Sequence, residues 1–161
     1  MTIEAIFRAG FVRRWHSNPD LAHTVDRVDG HSARVAKFLM YLWPESRVEA
    51  IKAALLHDDG EISVGDMSFT LKRRRPDIAH GLDQIEAAHI KEIWGAPDDL
   101  TSGELMRIKF CDRLDAFLWA RQHAPQVLDG DGWPESIQHL VEQSVNFCVL
   151  HKTRDLLEAS E

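Results

Sequence analysis

Glycine and proline divide this 161-residue chain into pieces of helical length, and that division constrains the fold most. Within the pieces, apolar residues recur at three- and four-residue spacing, as Ile3, Ile6, Phe7 and Phe11 do, which is typical of an amphipathic helix. No segment shows the sustained alternation of β-branched and polar residues that indicates a half-buried strand. The sequence therefore predicts an all-α fold.

The positions of glycine and proline predict six helices along the chain. Ser46 is the predicted N-cap of the third, because Glu49 follows at capping-box spacing. Residues 16–30, 61–76 and 125–134 are predicted to be irregular. The predicted helices are Thr2 to Trp15, His31 to Trp43, a third from Ser46 to near Gly60, Ile78 to Trp94, Ser102 to about His123, and Glu135 to about Glu158.

Length and charge narrow the class of protein. The chain fits one domain, residues 1–161, that can bury a core, and its formal net charge of -7 should repel nucleic acid and anionic lipid. No apolar run approaches the roughly 20 residues that span a bilayer. The N-terminus does not resemble a signal peptide, and two cysteines are too few for a disulfide framework. We therefore expect a cytoplasmic protein whose partners include neither nucleic acid nor membrane.

His57 and Asp58 follow an apolar run at the end of a predicted helix. Burying an imidazole beside a carboxylate is costly unless a partner compensates both groups. A divalent cation is such a partner, because histidine nitrogen and aspartate oxygen are both metal ligands. The alternative is a histidine that favours the helix C-terminal dipole, with Asp58 and Asp59 in solvent. The dipeptide alone leaves both interpretations open.

Other titratable residues lie among apolar ones. His31 opens an amphipathic helix, and Asp112 and Asp115 lie within or beside the apolar face of a later helix. A buried acid there needs a partner, and a metal ion or a nearby basic side chain would serve. The basic candidates are Lys109, Arg113 and Arg121. Helix geometry does not choose between the two acids.

The order His, His-Asp, Asp on successive helices resembles the HD-domain superfamily of metal-dependent phosphohydrolases. A longer series of motifs between about residue 10 and residue 122 is similar to small bacterial 5'-deoxynucleotidases and to phage-type deoxynucleotide triphosphohydrolases. That series is Arg14-Trp15, His31-Ser32, His57-Asp58-x-x-Glu61, Gly65-Asp66, Lys72 and Lys109-x-x-Asp112. The segment Met67 to Leu71 departs from the nucleotidases, which carry a proline-containing stretch there.

The resemblance implies a compact bundle of helices around a metal site. It assigns the metal ligands to His31, His57, Asp58 and Asp112, and it selects Asp112 over Asp115 because Asp112 takes the Lys-x-x-Asp position. The implied cofactor is one divalent ion, which could be Co, Mn, Zn, Fe, Ni or Mg.

The resemblance also implies roles around that ion. Glu61 is the expected general base or water-orienting carboxylate, and Asp66 a second acid near the attacked phosphate. Arg14 and Lys72 are expected to bind phosphate. Trp15 is expected either to pack on the sugar or base, or to be a core aromatic at a helix end.

The function that the resemblance implies is metal-dependent hydrolysis of a small deoxynucleotide. Release of triphosphate from a dNTP, in nucleotide-pool control, is the first expectation, and removal of the 5'-phosphate from a dNMP is the alternative. Hydrolysis of cyclic or hyperphosphorylated nucleotides and a non-catalytic nucleotide sensor are the other candidates.

A homo-oligomer is expected on two grounds. Relatives commonly assemble from identical subunits, and the predicted C-terminal helix carries more apolar residues than one monomer obviously needs. Those residues are Ile137, Leu140, Val141, Val145, Phe147 and Leu150.

Overall fold

The computed structural model describes residues 2–130 and 132–157, which form eight α-helices and two short 3-10 helices without a β-strand. The all-α prediction is confirmed. The helices are α1 Ile3–Gly10, α2 Val28–Leu42, α3 Val48–Leu56, α4 Phe69–Arg74, α5 Pro76–Trp94, α6 Ser102–His123, α7 Trp133–Asn146 and α8 Leu150–Leu157. The 3-10 helices are Asp59–Ile62 and Pro125–Asp129.

Helix α2 packs against both α3 and α6, and the apolar faces of these helices supply much of the core. The rings of Trp43, Phe110 and Phe147 meet edge to face, with centroids 5.6 to 6.0 Å apart. Aromatic rings prefer that geometry because the positive edge of one faces the negative face of another. Helices α2, α3 and α6 also carry the predicted metal ligands, so the core fixes the position of the site.

Helices α5 and α6 begin and end close to their predicted bounds. A capping box starts α6: the Glu104 amide donates to Thr101 Oγ1 and the Thr101 amide donates to Glu104 Oε2. Pro76 occupies the first turn of α5, where its missing N–H costs nothing.

Two predicted helix boundaries near the N-terminus are wrong. Helix α1 ends at Gly10 rather than Trp15, because the following residues turn back and hydrogen-bond to the segment before α2, with the Arg14 amide donating to the Asp26 carbonyl. Ser46 does not cap α3. Its hydroxyl donates to the Trp43 carbonyl, and α3 begins two residues later.

The predicted last helix is broken into α7 and α8. Cys148 has a left-handed backbone with φ of 57°, and the Val149 amide donates to the Ser144 carbonyl in the six-residue closure typical of a Schellman motif. Glycine normally occupies this position, so a cysteine there does not predict a helix break. The predicted end at Glu158 lies outside the described residues.

The break directs apolar side chains of the C-terminal region into the chain's own core. Leu140 is buried, and Ile137, Val141 and Phe147 pack against the core, whereas Val145 is 53% exposed. The apolar surface that favoured a homo-oligomer is thus largely used within one chain, and the homo-oligomer stays a prediction.

The described helices include none with the length and apolarity needed to cross a bilayer.

Candidate metal centre

The structure brings the four predicted metal ligands together at the meeting point of three helices. His31 lies in the first turn of α2 and is fully buried, His57 ends α3, Asp58 follows it, and Asp112 projects from the middle of α6. One ligand atom each from His31, His57 and Asp112 lies within 4.8 Å of the others. Asp58 touches both imidazoles, with its two oxygens 3.3 Å from His31 Nε2 and from His57 Nε2.

Both imidazoles are held through Nδ1 and turn Nε2 toward the carboxylates. His57 Nδ1 is 2.9 Å from the Ala54 carbonyl, and His31 Nδ1 is 2.7 Å from Asp115 Oδ2. A carbonyl oxygen only accepts, so His57 Nδ1 carries a proton and donates it to Ala54. His31 Nδ1 lies between the Asp115 carboxylate and the Arg14 guanidinium, and it donates to Asp115 when it is protonated. Both Nε2 atoms are buried and have no hydrogen-bond partner among the described residues.

This donor set fits a divalent cation. His31 Nε2 is 3.2 Å from Asp112 Oδ1 and 3.3 Å from Asp58 Oδ2. Neighbouring atoms that bind one ion at about 2.1 Å lie roughly 3.0 to 3.4 Å apart. Two imidazole nitrogens and two carboxylates suit first-row transition metals, which imidazole binds in its neutral form. A buried nitrogen without a hydrogen-bond partner destabilises the folded state, and a metal ion would bind both Nε2 atoms.

The electrostatics of the protein residues also favour a cation at this point. Burial opposes charging of the His31 imidazole, but the carboxylates of Asp112, Asp115 and Asp58 outweigh burial and raise its pKa to about 10. Burial likewise opposes ionisation of Asp58, yet His57, His31 and Arg14 hold its pKa below the usual range. The carboxylates are therefore ionised, and positive charge between them is stabilised.

A buried network of ion pairs lies next to His31 and stabilises the metal centre. Asp115 accepts from Arg34 Nε at 2.6 Å, and Asp26 accepts from Arg34 Nη2 at 2.8 Å. Arg14 Nη1 lies 3.2 Å from Asp26 Oδ2 and 2.7 Å from His31 Nδ1. Arg14 is only 8% exposed, so its guanidinium is engaged in this network beside the centre.

Trp15 takes part in the same network rather than standing free. Its indole Nε1 donates to Asp26 Oδ2 at 3.2 Å, and its ring stacks on Trp133 with centroids 6.3 Å apart. Its backbone is left-handed, with φ of 64°. The ring also packs against the core. These contacts fit the core-aromatic alternative better than an open sugar-binding surface.

The predicted catalytic acids lie near Asp58 and near each other, since the charges of Asp58 and Asp66 both act on the Glu61 carboxyl. Glu61, in the 3-10 helix Asp59–Ile62, is 4% exposed, and its Oε2 has no hydrogen-bond partner in the described part of the chain. Burial, reinforced by Asp58, Asp66 and Glu86, raises the Glu61 pKa to about 9. Asp66 accepts from the Trp15 amide at 3.0 Å.

Lys72, on α4, is close to these acids. Its Nζ lies 3.4 Å from Glu86 Oε1, and the negative charges of Glu86, Glu61 and Asp58 outweigh burial to raise the pKa of its ammonium. Lys72 therefore lies near enough to Glu61 and Asp58 for their charges to act on it, and its phosphate-binding role stays a prediction.

The alternative interpretation that leaves Asp59 in solvent is wrong for this residue. Asp59 is 8% exposed, and its Oδ2 accepts from Trp94 Nε1 at 2.7 Å. The reason is the 3-10 helix, which turns Asp59 inward against α5. Burial raises the pKa of this carboxyl.

Sequence reasoning missed several residues that support the site. Asp115 was identified as a buried acid, but its contact with His31 depends on two helices meeting. Arg34 lies one helical turn after His31, which was a usable signal. Asp26 and Glu86 carried no local signal, because each is paired with a residue from another element.

Comparison with protein-family models, with curated protein sequences and with solved structures finds no match to this chain.

Proposed function

We propose that this protein is a metal-dependent phosphohydrolase of a small deoxynucleotide, of the HD-domain kind that its motifs resemble. One observation carries the proposal: the buried His31 and the partly buried His57 present buried Nε2 atoms, without hydrogen-bond partners among the described residues, beside the carboxylates of Asp58 and Asp112. His31, His57, Asp58 and Asp112 would hold the ion. When bound, a divalent ion lowers the pKa of water and polarises a phosphoryl oxygen.

Glu61 supplies the general base in this proposal. Its Oε2 is buried and has no hydrogen-bond partner among the described residues. A cation held by the neighbouring ligands would lower the raised Glu61 pKa, and the ionised carboxylate could then accept a proton from an attacking water. Asp66 lies in the same acidic surroundings and orients the reacting groups. The Asp66 contact with the Trp15 amide fixes its side chain for that task.

Lys72 supplies positive charge for the phosphate. Its ammonium is partly exposed and sits among acids, so an arriving phosphate competes with Glu86 for it. Arg14 acts from a more buried position, where its charge offsets the surrounding carboxylates and attracts the substrate's anionic end. Triphosphate release from a dNTP remains our first choice of reaction, with dNMP hydrolysis as the alternative.

The test is hydrolysis of dNTPs, NTPs and 5'-monophosphates by protein reconstituted separately with Mn, Co, Zn, Fe, Ni and Mg. Products are separated so that phosphate, pyrophosphate and triphosphate are distinguished. Triphosphate release supports the first choice, and phosphate from monophosphates alone supports the 5'-nucleotidase.

Glu61→Gln separates an enzyme from a sensor. We expect turnover to fall at least about 100-fold, since general base catalysis contributes that much, while metal binding is kept. Glu92→Gln, at an exposed position of α5, is the matched control and should retain full activity. If folded wild-type protein shows no turnover with any metal, the enzyme proposal is wrong and the non-catalytic nucleotide sensor is the better candidate.

A further inference from the structure

A cavity of about 370 Å³ lies directly beside the metal centre and has no role in the function described so far. His57 and Asp112 form part of its lining, so a molecule that fills it reaches the centre. The Asp112 side chain is 40% exposed, which leaves the centre open on that side. The volume lies within the range of pockets that bind small molecules.

The remaining wall is mostly apolar and comes from α3, the end of α5, the following loop and the first half of α6. Side chains from all four segments contribute, among them Leu56, Ile90, Leu100, Leu105 and Ile108. Such a wall binds a flat or apolar group and gives little stabilisation to a phosphate. A ligand that spans cavity and centre therefore has an apolar end and an anionic end.

Trp94 gives the cavity a fixed aromatic wall. Its indole Nε1 donates to Asp59 Oδ2 at 2.7 Å, and Asp59 is buried next to the metal ligand Asp58. The ring is therefore oriented before any ligand arrives. An indole held in this way favours stacking with another planar ring, and bases stack on aromatic side chains without regard to sequence.

The cavity also carries charges at its rim. Lys52 and Asp98 form an ion pair of 3.0 Å, and the exposed Lys109 is the third charged residue there besides Asp112. Lysine attracts an anionic ligand, whereas the apolar interior excludes its charged end. The cavity is thus apolar along its wall and charged at its rim and at the metal centre.

We infer that this cavity binds the nucleobase of the substrate, stacked on Trp94, with the phosphate end directed to the metal centre. The direction of the phosphate rests on the proposed function, whereas the base site rests on the cavity itself. This assignment replaces Trp15 as the base-binding tryptophan. Trp15 does not line the cavity, and its indole is engaged with Asp26 and Trp133.

The first test is binding to the metal-free protein in EDTA. The four deoxynucleosides and their 5'-monophosphates are titrated while the indole N–H signals are followed by NMR, and Trp94→Phe assigns the Trp94 signal. We expect the Trp94 signal to shift with at least one deoxynucleoside. Hexyl phosphate, which has an apolar end without a planar ring, is the comparison ligand and should bind at least tenfold more weakly than the matching monophosphate.

A matched pair of variants localises the binding. Leu105 and Met106 are neighbours on α6 and are each 47% exposed, but only Leu105 lines the cavity. Leu105→Trp fills the cavity and should raise the dissociation constant of the nucleoside at least tenfold by calorimetry. Met106→Trp should change it less than twofold. Because both positions are half exposed, both variants should fold.

The outcomes separate this inference from the proposed function. Nucleoside binding that Leu105→Trp alone blocks supports the base site, even where no hydrolysis is found and the enzyme proposal fails. If both Leu105→Trp and Met106→Trp hydrolyse the substrate with equal KM, the inferred base site is wrong and the proposed enzyme activity still stands. Absence of nucleoside binding to the wild-type protein, or equal binding of hexyl phosphate, also overturns it.

Discussion

At the scale of single residues, the centre depends on the groups that fix each imidazole. A ring whose Nδ1 donates to an oxygen keeps Nε2 as a lone pair, which is the form that binds a metal. His57 uses a backbone carbonyl one turn earlier, and a mutation cannot remove it. His31 uses the carboxylate of Asp115, which can be changed.

Asp115→Asn should weaken metal binding without removing a ligand. The amide keeps the size of the side chain but loses the charge that holds the His31 ring and pairs with Arg34. Changes to such supporting groups cost about 10- to 100-fold in metal affinity, which competition titration with Zn or Co would measure. Asp155→Asn, at an exposed position of α8, is the control and should bind metal as the wild type does. Equal affinity in all three proteins would contradict the role of Asp115.

The sequence predicted the residues of the centre better than the residues that support it. His57 and Asp58 directly follow an apolar run, so their partial burial could be inferred locally. The contact of His31 with Asp115 joins residues 84 positions apart. Such a pair is set by how two helices pack, which periodicity does not specify.

At the scale of elements, the 3-10 helix Asp59–Ile62 sets the position of both Asp58 and Glu61. It lies so close to α5 that a Cβ on Gly60 would be 2.3 Å from the carbonyl oxygen of Glu86. Backbone atoms cannot move aside as a flexible side chain can. The glycine is therefore required by close approach.

Gly60→Ala should destabilise the protein by about 1 to 3 kcal/mol, as overpacking does, and should reduce turnover because Glu61 shifts with the 3-10 helix. Gly81→Ala is the control within α5, where an added Cβ meets nothing within 4 Å. That variant should gain roughly 0.5 to 1 kcal/mol, because alanine loses less entropy than glycine in a helix. Urea unfolding measures both free energies, and a loss in Gly81→Ala equal to that in Gly60→Ala would contradict the close-approach argument.

The pair Arg47–Glu104 joins the start of α3 to the start of α6. The Arg47 side chain, joined by the Thr101 amide and hydroxyl, lowers the Glu104 pKa to about 2. A depressed carboxyl pKa gives stability that is present above the unfolded value of about 4.3 and is lost as the pH falls toward the folded value.

Glu104→Gln should therefore unfold at lower urea concentration than the wild type at pH 7, with the difference shrinking between about pH 4.5 and pH 2. The effect at pH 7 should also weaken with salt, because Arg47 is half exposed. Glu92→Gln should follow the wild-type curve at every pH. A difference that persists unchanged at pH 2 would show that the ionic contact is not its source.

Helix ends were predictable only where residues close in sequence to the helix end determine it. The bounds of α6 follow from its capping box and its long apolar period. The break after α7 depends instead on a left-handed backbone at Cys148, and the segment that turns back after α1 contains another at Trp15. Neither residue type favours that conformation, so tertiary contacts and not local preference impose it.

At the scale of the whole molecule, the centre joins segments that are distant in sequence. The residues that we propose as its ligands come from the start of α2, the end of α3 and the middle of α6, the helices that also supply much of the core. An unfolded chain cannot hold these four groups near one point. Metal binding should therefore stabilise the whole fold, since a ligand that binds only the folded state shifts the unfolding equilibrium.

Metal at about 100 times its dissociation constant should stabilise the wild-type protein by about 2.7 kcal/mol, which raises the melting temperature by about 5 to 10 °C for a chain of this size. EDTA should reverse the shift. His57→Ala removes an unpartnered Nε2 and should abolish most of the shift, whereas His139→Ala, at an exposed position of α7, should keep it. Differential scanning calorimetry with and without Mn, Co and Zn measures these changes. Should His57→Ala and His139→Ala gain equal stability from every metal, the ion would be binding elsewhere, and the centre at the junction of α2, α3 and α6 would have to be abandoned.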